Sequence, residues 1–417
     1  MILDLRCRRG MRGGWLATPT MHGVNGMKIT DIKTYVVDCY RTNWVFLKVF
    51  TDEGISGVGE STLEYKEHAL LGAIEDFKRE LIGKDPLRIE EHFYHMVRDS
   101  YWRTGPVLFS AISGIEMALW DISGKALNVP VHRLLGGKMR DSVRFYANGW
   151  FAGARTPAEF ADKAREMAAR GVTALKWDPF GSAYMTISRK ELDAAIECIG
   201  SVRDAVGPSV DLLIEAHGRF NVATAVSIAR QIAPFDPMFF EEPIPPESID
   251  SLAEVRAKSP VPIAAGERAY TRYAFKELLE KKAVDYVQPD VSHAGGIMEL
   301  KKIAAMAEAY YVPFTPHNPS GPVAAAATLQ LAACVPNFHI LEIMINDVAW
   351  RTSLTTESVD YREGEIIISD RPGLGVELIE SELAKHPYSP KKLRHYAGTL
   401  TDIRPTQEKT AYYFNNF

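Results

Sequence analysis

Three glutamates recur at a fixed interval in the middle of the chain, and they are its strongest chemical signal. Glu215, Glu241 and Glu267 are separated by 26 residues at each step, which is about the length of one strand–helix unit. Residues one unit apart lie at the same height on neighbouring parallel strands. Because three buried carboxylates repel one another, we expect them to share a divalent cation. Oxygen ligands favour Mg²⁺ or Mn²⁺ over zinc.

The middle position of this series is ambiguous, because a second glutamate follows directly. In an extended strand only one of Glu241 and Glu242 can face the inside. The pattern by itself leaves open which of the two is the ligand.

Two histidines accompany the carboxylates. His217 follows Glu215 by two residues, so both side chains face the same side of a strand end. His317 lies one unit after Asp290, and a carboxylate beside an imidazole fixes its tautomer and raises its basicity. The pair predicts a general base. Other candidates at strand ends are Lys176, Asp178 and Glu342.

The elements that position these residues are eight short, apolar strands that alternate with helical segments from about Val143 onward. The strands are predicted at VRFYANG, ALKWDPF, DLLIEAHG, MFFEEP, PIAAGE, DYVQPD, FTPHNP and HILEIMI. This alternation indicates parallel βαβ units and favours an α/β fold, a (β/α)8-type (modified TIM) barrel, over an open doubly wound sheet. No GxGxxG motif follows the first strand, which weakens a dinucleotide-binding interpretation.

A smaller α+β module is predicted before the barrel. Residues 27–140 contain strand-like runs followed by the helical pattern FSAISGIEMALWDISGKAL. We expect residues 1–26 to be a disordered extension or foreign to the natural protein. Residues 141–347 would form the barrel, residues 348–404 its end and a return to the first module, and residues 405–417 a tail.

Composition excludes several classes of protein. The chain has 417 residues, 46% hydrophobic and 24% charged, and a formal net charge of −5. These values are typical of globular proteins, and the slightly negative net charge argues against nucleic acid as a partner. The four cysteines lie far apart without a CxxC motif, and no run of 18 apolar residues predicts a membrane span. We therefore expect a cytoplasmic protein.

Missing motifs narrow the chemistry. The sequence has no HxH pair, no GxSxG and no HExxH, so binuclear metal hydrolases, serine hydrolases and zincins lack support. A cation, a base and a second imidazole around one cavity suit the removal of a proton α to a carboxylate. That proton becomes removable when positive charge stabilises the enediolate.

The motifs as a group resemble the enolase superfamily, mandelate racemase subgroup, and within it the D-galactonate dehydratase-like acid-sugar dehydratases. The resemblance runs from Met27 to about Arg404. It is carried by SAISGIEMALWDISGKALNVPV, LLGGKMRDSV, IEAHGRF, FFEEP, IAAGERAYTR, VQPDVSHAGGI, TPHNPSGPVA and RPGLGVE.

This resemblance implies a role for each candidate. One Mg²⁺ would bind Glu215, Glu241 and Glu267, since the first acid of the EEP motif is the family's ligand. His317 with Asp290 would take the C2 proton. The other implied roles are a general acid that protonates the departing 3-hydroxyl (His217), a hydrogen bond to the substrate carboxylate or enediolate (Glu342), a contact to the substrate carboxylate (Lys176), further substrate contacts (Asp178, Arg268), and capping loops that close over the substrate (Trp44, Tyr65, Trp102).

Two departures from the family pattern bear on the reaction. The first metal ligand is usually Asp in the galactonate enzymes but is Glu215 here, and both carboxylates suit Mg²⁺. Racemases carry KxK on the second strand, whereas this chain has Lys176-Trp177-Asp178, so the second lysine base is missing. HNPSGP also differs from the usual segment near the base.

The resulting prediction is a hydro-lyase that converts an aldonate such as D-galactonate to a 2-keto-3-deoxy acid. Two alternatives remain: an epimerase, racemase or cycloisomerase with the same fold and metal, and a non-catalytic barrel that would have lost its base or a metal ligand. The expected partner is a small sugar acid, with no nucleic acid and no membrane. The resemblance implies a homo-oligomer, from dimer to octamer.

Overall fold

The computed structural model of the protein describes residues 26–39, 42–181, 183–345, 347–362 and 364–391. The predicted extension 1–26 therefore lies outside the described residues except for Gly26. The predicted tail 405–417 and the last part of the segment 348–404 lie outside them as well.

An antiparallel sheet of three strands forms the first module, in the order β1-β2-β3. The strands are β1 (Ile29–Asp38), β2 (Asn43–Thr51) and β3 (Ser56–Glu60). Helices then cover the sheet: α1 (Glu67–Leu81), α2 (Ile89–Tyr94) with a π-helical turn (His95–Asp99), α3 (Pro106–Ala126) and α4 (Val131–Leu134). Gly57 and Gly59 allow the backbone of α3 to approach β3 closely, because a Cβ at either position would collide with a carbonyl oxygen of α3.

Helix α3 is apolar on nearly all sides. By length and composition it could cross a membrane, but 89% of its apolar window is buried inside the protein. It packs against β2 and β3, against α1, α2 and α4 of the first module, and against a helix of the barrel (Ile297–Ala309). The apolar surface of α3 is therefore core surface.

The second module is a parallel barrel whose strands follow one another in chain order. Its named strands are β4 (Ser142–Asn148), β5 (Ala174–Trp177), β6 (Asp211–Glu215), β7 (Phe239–Glu241), β8 (Ile263–Ala265), β9 (Tyr286–Val287) and β10 (Leu341–Met344). Between β9 and β10, Phe314 forms parallel bridges to Val287 and Phe338. Because β10 pairs in parallel with β4, the eight predicted strand segments close into a barrel.

Seven helices surround the barrel. They are α5 (Pro157–Ala169), α6 (Arg189–Val206), α7 (Val222–Ile232) with a 3₁₀ turn (Ala233–Phe235), α8 (Ile249–Lys258), α9 (Thr271–Glu280), α10 (Ile297–Ala309) and α11 (Pro322–Ala332). The predicted (β/α)8-type barrel with a capping domain is confirmed. In the described residues after β10, a hairpin antiparallel to β4 takes the place of an eighth barrel helix.

Side chains fill the barrel interior below its carboxyl end. One residue from each of six neighbouring strand positions contributes to this cluster: Tyr146, Ala174, Leu213, Phe239, Ala264 and Ile340. All six are fully buried. The barrel is therefore packed rather than hollow, and polar chemistry is confined to its upper rim.

Two buried glutamates fasten the first module to the barrel. Glu60, at the end of β3, accepts hydrogen bonds from the backbone amides of Gly321 at 2.6 Å and Ala324 at 2.9 Å, at the beginning of α11. Glu116, on α3, accepts from the amides of Ile297 and Met298 at the beginning of α10. Each carboxyl group accepts hydrogen bonds from amides that a helix N-terminus leaves unpaired.

The segment after β10 returns to the first module. It contains a 3₁₀ turn (Arg351–Ser353), the strands β11 (Tyr361–Arg362) and β12 (Glu365–Ile367), and α12 (Glu380–Leu383). Ser389 exchanges two hydrogen bonds with Asn43, and Lys391 pairs with Asp38 at 2.6 Å. The C-terminal end of the described chain thus contacts the end of β1 and the beginning of β2.

Candidate active site

The carboxyl ends of the barrel strands bring most of the predicted site residues together. Nine of them lie within a barrel strand or within a few residues after a strand or the Phe314 bridge: Lys176, Asp178, Glu215, His217, Glu241, Glu267, Asp290, His317 and Glu342. The Cα atoms of Glu215 and Glu241 are direct register partners on β6 and β7. The 26-residue spacing therefore corresponds to neighbouring strands.

Lys176 lies at the centre of a group of carboxylates and is only 2% exposed. Its Nζ lies 2.7 Å from Glu241 Oε1, 3.0 Å from Glu342 Oε1 and 3.4 Å from Glu215 Oε2. Burial disfavours the ammonium, but Glu241 and Glu342 outweigh it and raise the pKa of Lys176 well above its ordinary value. Lys176 is thus a charged partner of this group in the structure.

The group of carboxylates closest to a metal-binding geometry contains Glu242. Among the described residues, Glu215, Glu242 and Glu267 each offer an oxygen, and these oxygens all lie within 4.8 Å of one another. Glu241 Oε1 is instead engaged with Lys176. This grouping differs from the predicted set of Glu215, Glu241 and Glu267.

A backbone feature explains how both neighbouring glutamates reach the site. Glu242 has a φ of +37°, in the left-handed region that non-glycine residues rarely occupy. Strand β7 ends at Glu241, so its regular alternation does not extend to Glu242. Both glutamates reach the carboxylate group, Glu241 at Lys176 and Glu242 beside Glu215 and Glu267, and the choice of metal ligand between them stays a prediction.

The carboxylates fit a divalent cation. Glu215 Oε2 and Glu241 Oε2 are buried and accept no hydrogen bond from the described part of the chain. Burial, together with the charge of Glu215, raises the pKa of Glu241, and burial with Glu242 raises that of Glu267. A cation would relieve this repulsion, and an all-oxygen donor set suits Mg²⁺.

His317 and Asp290 form a hydrogen-bonded dyad. Asp290 Oδ2 accepts from His317 Nδ1 at 2.7 Å, and Asp290 Oδ1 accepts from the Ser292 amide at 2.6 Å. His317 Nε2 lies 3.5 Å from Glu267 Oε2, at the edge of the carboxylate group. Burial acts to lower the pKa of His317, but Glu342 and Asp290 outweigh it and raise that pKa.

His217 belongs to a second dyad, with Asp178. Asp178 Oδ2 accepts from His217 Nδ1 at 2.7 Å, and Asp178 Oδ1 accepts from the Phe180 amide at 2.9 Å. Arg219 also donates to Asp178 Oδ2. The predicted substrate contact Asp178 is thus engaged with protein groups.

Glu342 is held from three sides besides Lys176. It accepts from Asn148 Nδ2 at 2.8 Å and from the Asn318 amide at 3.1 Å, and its Oε2 lies 3.9 Å from His317 Nε2. Sequence reasoning missed Asn148, although it ends β4 and the strand-end rule could have found it. It also missed Arg219. The only indication of this residue in the sequence is that it follows His217 by two positions.

The predicted residues of the capping module differ in their placement. Trp44 is the second residue of β2 and is 1% exposed, and the guanidinium of Arg351 lies 4.8 Å from the centre of its ring, so the side chain itself belongs to the core. Tyr65 lies in the loop between β3 and α1 with a φ of +60°. Trp102 lies in the loop before α3 and is 81% exposed.

Arg268 joins the site to the loop that carries Trp102. Its guanidinium pairs with Glu242. Both residues line a cavity of about 180 Å³ together with Thr104, two residues after Trp102. The capping loop therefore reaches the edge of the carboxylate group.

Comparisons with known proteins agree with this architecture. Residues 21–136 match the mandelate racemase / muconate lactonizing enzyme N-terminal domain, and residues 159–382 match the family described as enolase C-terminal domain-like. The D-galactonate dehydratase of Variovorax paradoxus (strain S110) is 40% identical over 375 residues, which cover 88% of this chain and 97% of the relative. The D-galactonate dehydratase of Xanthomonas campestris pv. campestris (strain B100) is 39% identical over the same shares.

Solved structures show the same two-module arrangement. A mandelate racemase/muconate lactonizing enzyme from Jannaschia sp. CCS1 superposes with a TM-score of 0.83 at 34% identity, covering 88% of this chain and 99% of that one. A member of the enolase superfamily from Salmonella Typhimurium gives 0.83 at 32% identity, covering 87% and 98%. The chain therefore belongs to the mandelate racemase and muconate lactonizing enzyme family of the enolase superfamily, and D-galactonate dehydratases are among its relatives there.

Proposed function

We propose that the protein, a dehydratase of the enolase superfamily, uses Mg²⁺ to remove water from an aldonate such as D-galactonate. The observation that carries this proposal is the pair of Asp–His dyads at the rim of the barrel. One lies on β5 and β6, the other on β9 and the Phe314 segment, half the barrel away. A dehydration needs one group that takes a proton and another that gives one, on either side of the substrate.

The base is His317. Its Nδ1 is engaged with Asp290, so Nε2 takes the proton from C2 of the sugar acid. The electron pair of the broken C–H bond then passes into the carboxylate of the substrate as an enediolate. Glu342, held by Asn148 and the Asn318 amide, lies within reach of this carboxylate.

The acid is His217. The electron pair returns from the enediolate to form the C2=C3 bond, and the C3–O bond breaks. The departing hydroxyl takes a proton from His217 Nε2 and leaves as water. The enol product then gains a proton at C3 and loses the proton of its C2 hydroxyl, which gives the 2-keto-3-deoxy acid, so the overall change is the loss of one water molecule.

The metal would bind at the carboxylate group, with oxygens from Glu215, Glu241, Glu242 and Glu267. When bound, Mg²⁺ supplies the positive charge that makes a proton α to a carboxylate removable. Glu215 Oε2 and Glu241 Oε2, which are buried and accept no hydrogen bond from the described residues, support this assignment. Lys176, already charged and buried among them, adds a second positive charge near the substrate carboxylate.

The remaining expectations are part of this proposal. The partner is a small sugar acid, the assembly is a homo-oligomer, and the protein acts in the cytoplasm. The D-galactonate dehydratases among the relatives support D-galactonate as the first substrate to examine. Gluconate and other C5 or C6 aldonates come next, because the strand-end residues act on the groups at C1, C2 and C3 that all these acids share. They do not by themselves select one epimer.

A screen of acid sugars tests this function. Purified protein with Mg²⁺ is incubated with each C5 and C6 aldonate, and 2-keto acid formation is measured with and without EDTA. We expect one strong conversion that EDTA abolishes and added Mg²⁺ restores. Exchange of the C2 proton with deuterium without keto acid would indicate an epimerase instead. If neither keto acid formation nor C2 exchange is detected with any of these sugar acids, the proposal that the protein acts on them is contradicted.

A further inference from the structure

Asp178 has no free oxygen with which to bind a sugar. Its side chain is 1% exposed. Oδ1 accepts from the Phe180 amide at 2.9 Å, and Oδ2 accepts from His217 Nδ1 and from Arg219. All three donors belong to the protein. A residue that contacts substrate would instead present a polar atom to the cavity.

Arg219 holds this carboxylate in place. It is 1% exposed, and its Nε donates to the carbonyl oxygen of Ala216 at 2.8 Å. Its other nitrogens donate to the Gly181 carbonyl and to Asp178. One guanidinium thus ties the loop after β5 to the loop after β6. A group of this kind is always charged and has its donors in fixed directions.

We propose that Asp178, anchored by Arg219, is the positioning residue of His217 and does not bind substrate. The inference rests on the proposed function for the direction of proton transfer, because it assigns Asp178 to the step in which water leaves. Asp178 accepts the Nδ1 proton, which fixes the tautomer and leaves Nε2 as the nitrogen for the substrate hydroxyl.

The backbone supports the same assignment. His217 has a φ of +49°, and its amide donates to Glu215 Oε1 at 2.6 Å. Non-glycine residues adopt this left-handed conformation infrequently, although histidine does so more often than most, and it persists when the surroundings determine it. The imidazole is therefore anchored at two points, by Glu215 through the backbone and by Asp178 through Nδ1.

The first test separates the two halves of the reaction. In Asp178→Asn, dehydration should fall about 10²–10⁴-fold. C2 deuterium exchange and KM should stay within about threefold of the wild type, because His317 and the substrate contacts are unchanged. The matched control is Asp290→Asn, the same substitution in the other dyad. There exchange and dehydration should fall together.

Two outcomes would overturn the inference. If Asp178→Asn lowers exchange and dehydration equally and raises KM, Asp178 binds the substrate. If it changes neither rate, Asp178 does not position His217. Both outcomes differ from a failure of the proposed function, in which the wild-type protein itself converts and exchanges no sugar acid.

A second measurement needs neither activity nor the folding of the Asp178 variant. In protein labelled with ¹⁵N-histidine, the resonances of His217 are identified by their loss in His217→Asn. The wild-type spectrum should show a proton on Nδ1 that is hydrogen bonded and slow to exchange with solvent. A neutral ring that carries its proton on Nε2, or a rapidly exchanging Nδ1 proton, would contradict the inference even if the substrate is still unknown.

Discussion

The two dyads are built alike and differ in what surrounds their carboxylates. In each, an aspartate follows one strand and its histidine follows the next strand of the barrel. In each, Oδ1 accepts from the amide two residues further along, and Oδ2 lies 2.7 Å from Nδ1 of the imidazole. The local geometry alone therefore does not decide which histidine gives a proton and which takes one.

The neighbouring charge differs. Asp178 shares its Oδ2 with the guanidinium of Arg219, whereas Asp290 has the imidazole of His293 as its neighbour. Burial lowers the pKa of His293, so this ring is neutral at pH 7. Asp290 therefore offers its full charge to His317, and Asp178 divides its charge between two partners. A carboxylate that faces only the imidazole favours the protonated ring, which suits a base that must take a proton. A carboxylate that also pairs with an arginine stabilises the protonated ring less, which suits an acid that must give one.

The largest expected effect comes from removing the base. His317→Asn should lower both C2 exchange and dehydration by about 10³–10⁴-fold, because both begin with the same proton. The measurement is ¹H NMR of the sugar acid in D₂O, run beside a keto acid assay. Retained exchange would mean that another group takes the C2 proton and that the His317–Asp290 dyad is not the base.

Removing the acid should separate the two reactions. We expect His217→Asn to lose about 10²–10⁴-fold in dehydration while C2 exchange continues. The same two assays measure it, and the His317→Asn protein is the control. If exchange stops and dehydration continues, the roles of the two dyads are reversed.

A smaller effect is expected when Arg219, which shares the carboxylate of Asp178 with His217, is replaced. Arg219→Lys keeps the positive charge but not the fork of donors, so dehydration should fall about 10–100-fold while exchange is unchanged. The free energy of unfolding should fall by about 1–3 kcal/mol, because buried carbonyls lose donors.

Arg203 provides the matched control for this variant. It also donates to several backbone carbonyls, among them those of Gly207 and Val210, both at 2.7 Å, but it lies on α6 away from the site. Arg203→Lys should therefore cost similar stability and leave the ratio of exchange to dehydration unchanged. An equal change of that ratio in both variants would show that Arg219 acts only through stability.

The smallest effect concerns the neutral neighbour of the base dyad. His293 faces Asp290, His317 and Glu64, and its Nδ1 bonds to Ser110 on α3 at 2.8 Å. Because the folded protein holds its pKa below the ordinary 6.5, the unfolded chain binds the proton more readily. Its contribution to stability is present above pH 6.5 and is lost as the pH falls below it.

His293→Asn should remove this dependence. Urea unfolding at pH 5.5 and pH 7.5 gives the change in free energy for each protein, and the wild type should lose more on acidification, by at most about 1.4 kcal/mol per pH unit. The comparison is made between variant and wild type because other histidines also titrate. An identical loss in both proteins would mean that His293 is not held neutral.

Strand order and strand ends could be predicted from the sequence because they follow from periodicity. Eight apolar segments alternate with helices, and the polar residues that follow them must gather at one rim. This reasoning found Glu215, His217 and His317 without knowledge of any contact. It also placed Asp178 at the rim, since position along the strand is a local property.

Partners within the rim could not be predicted, because they depend on geometry that no spacing records. Glu242, whose φ is +37°, brings an oxygen within 4.8 Å of oxygens of Glu215 and Glu267, which strand alternation does not predict. Asp178 faces His217 rather than the substrate because a buried arginine from another loop holds it. Trp44 is an aromatic residue of the kind that often binds ligands, but it is the second residue of β2 and is buried, with Arg351 over its ring. In each case, tertiary contacts outweigh the local pattern.

The glutamates that cap α10 and α11 have a consequence for protein engineering. These two helices follow the strand segments that carry Asp290 and His317, so the capping module completes the helices behind the base. A chimera that joins this barrel to the capping module of a relative would need a carboxylate at the positions of Glu60 and Glu116. Without them, two helix N-termini would be buried with unpaired amides. Exchange of specificity loops between relatives should therefore graft the loops alone and keep β3 and α3 in place.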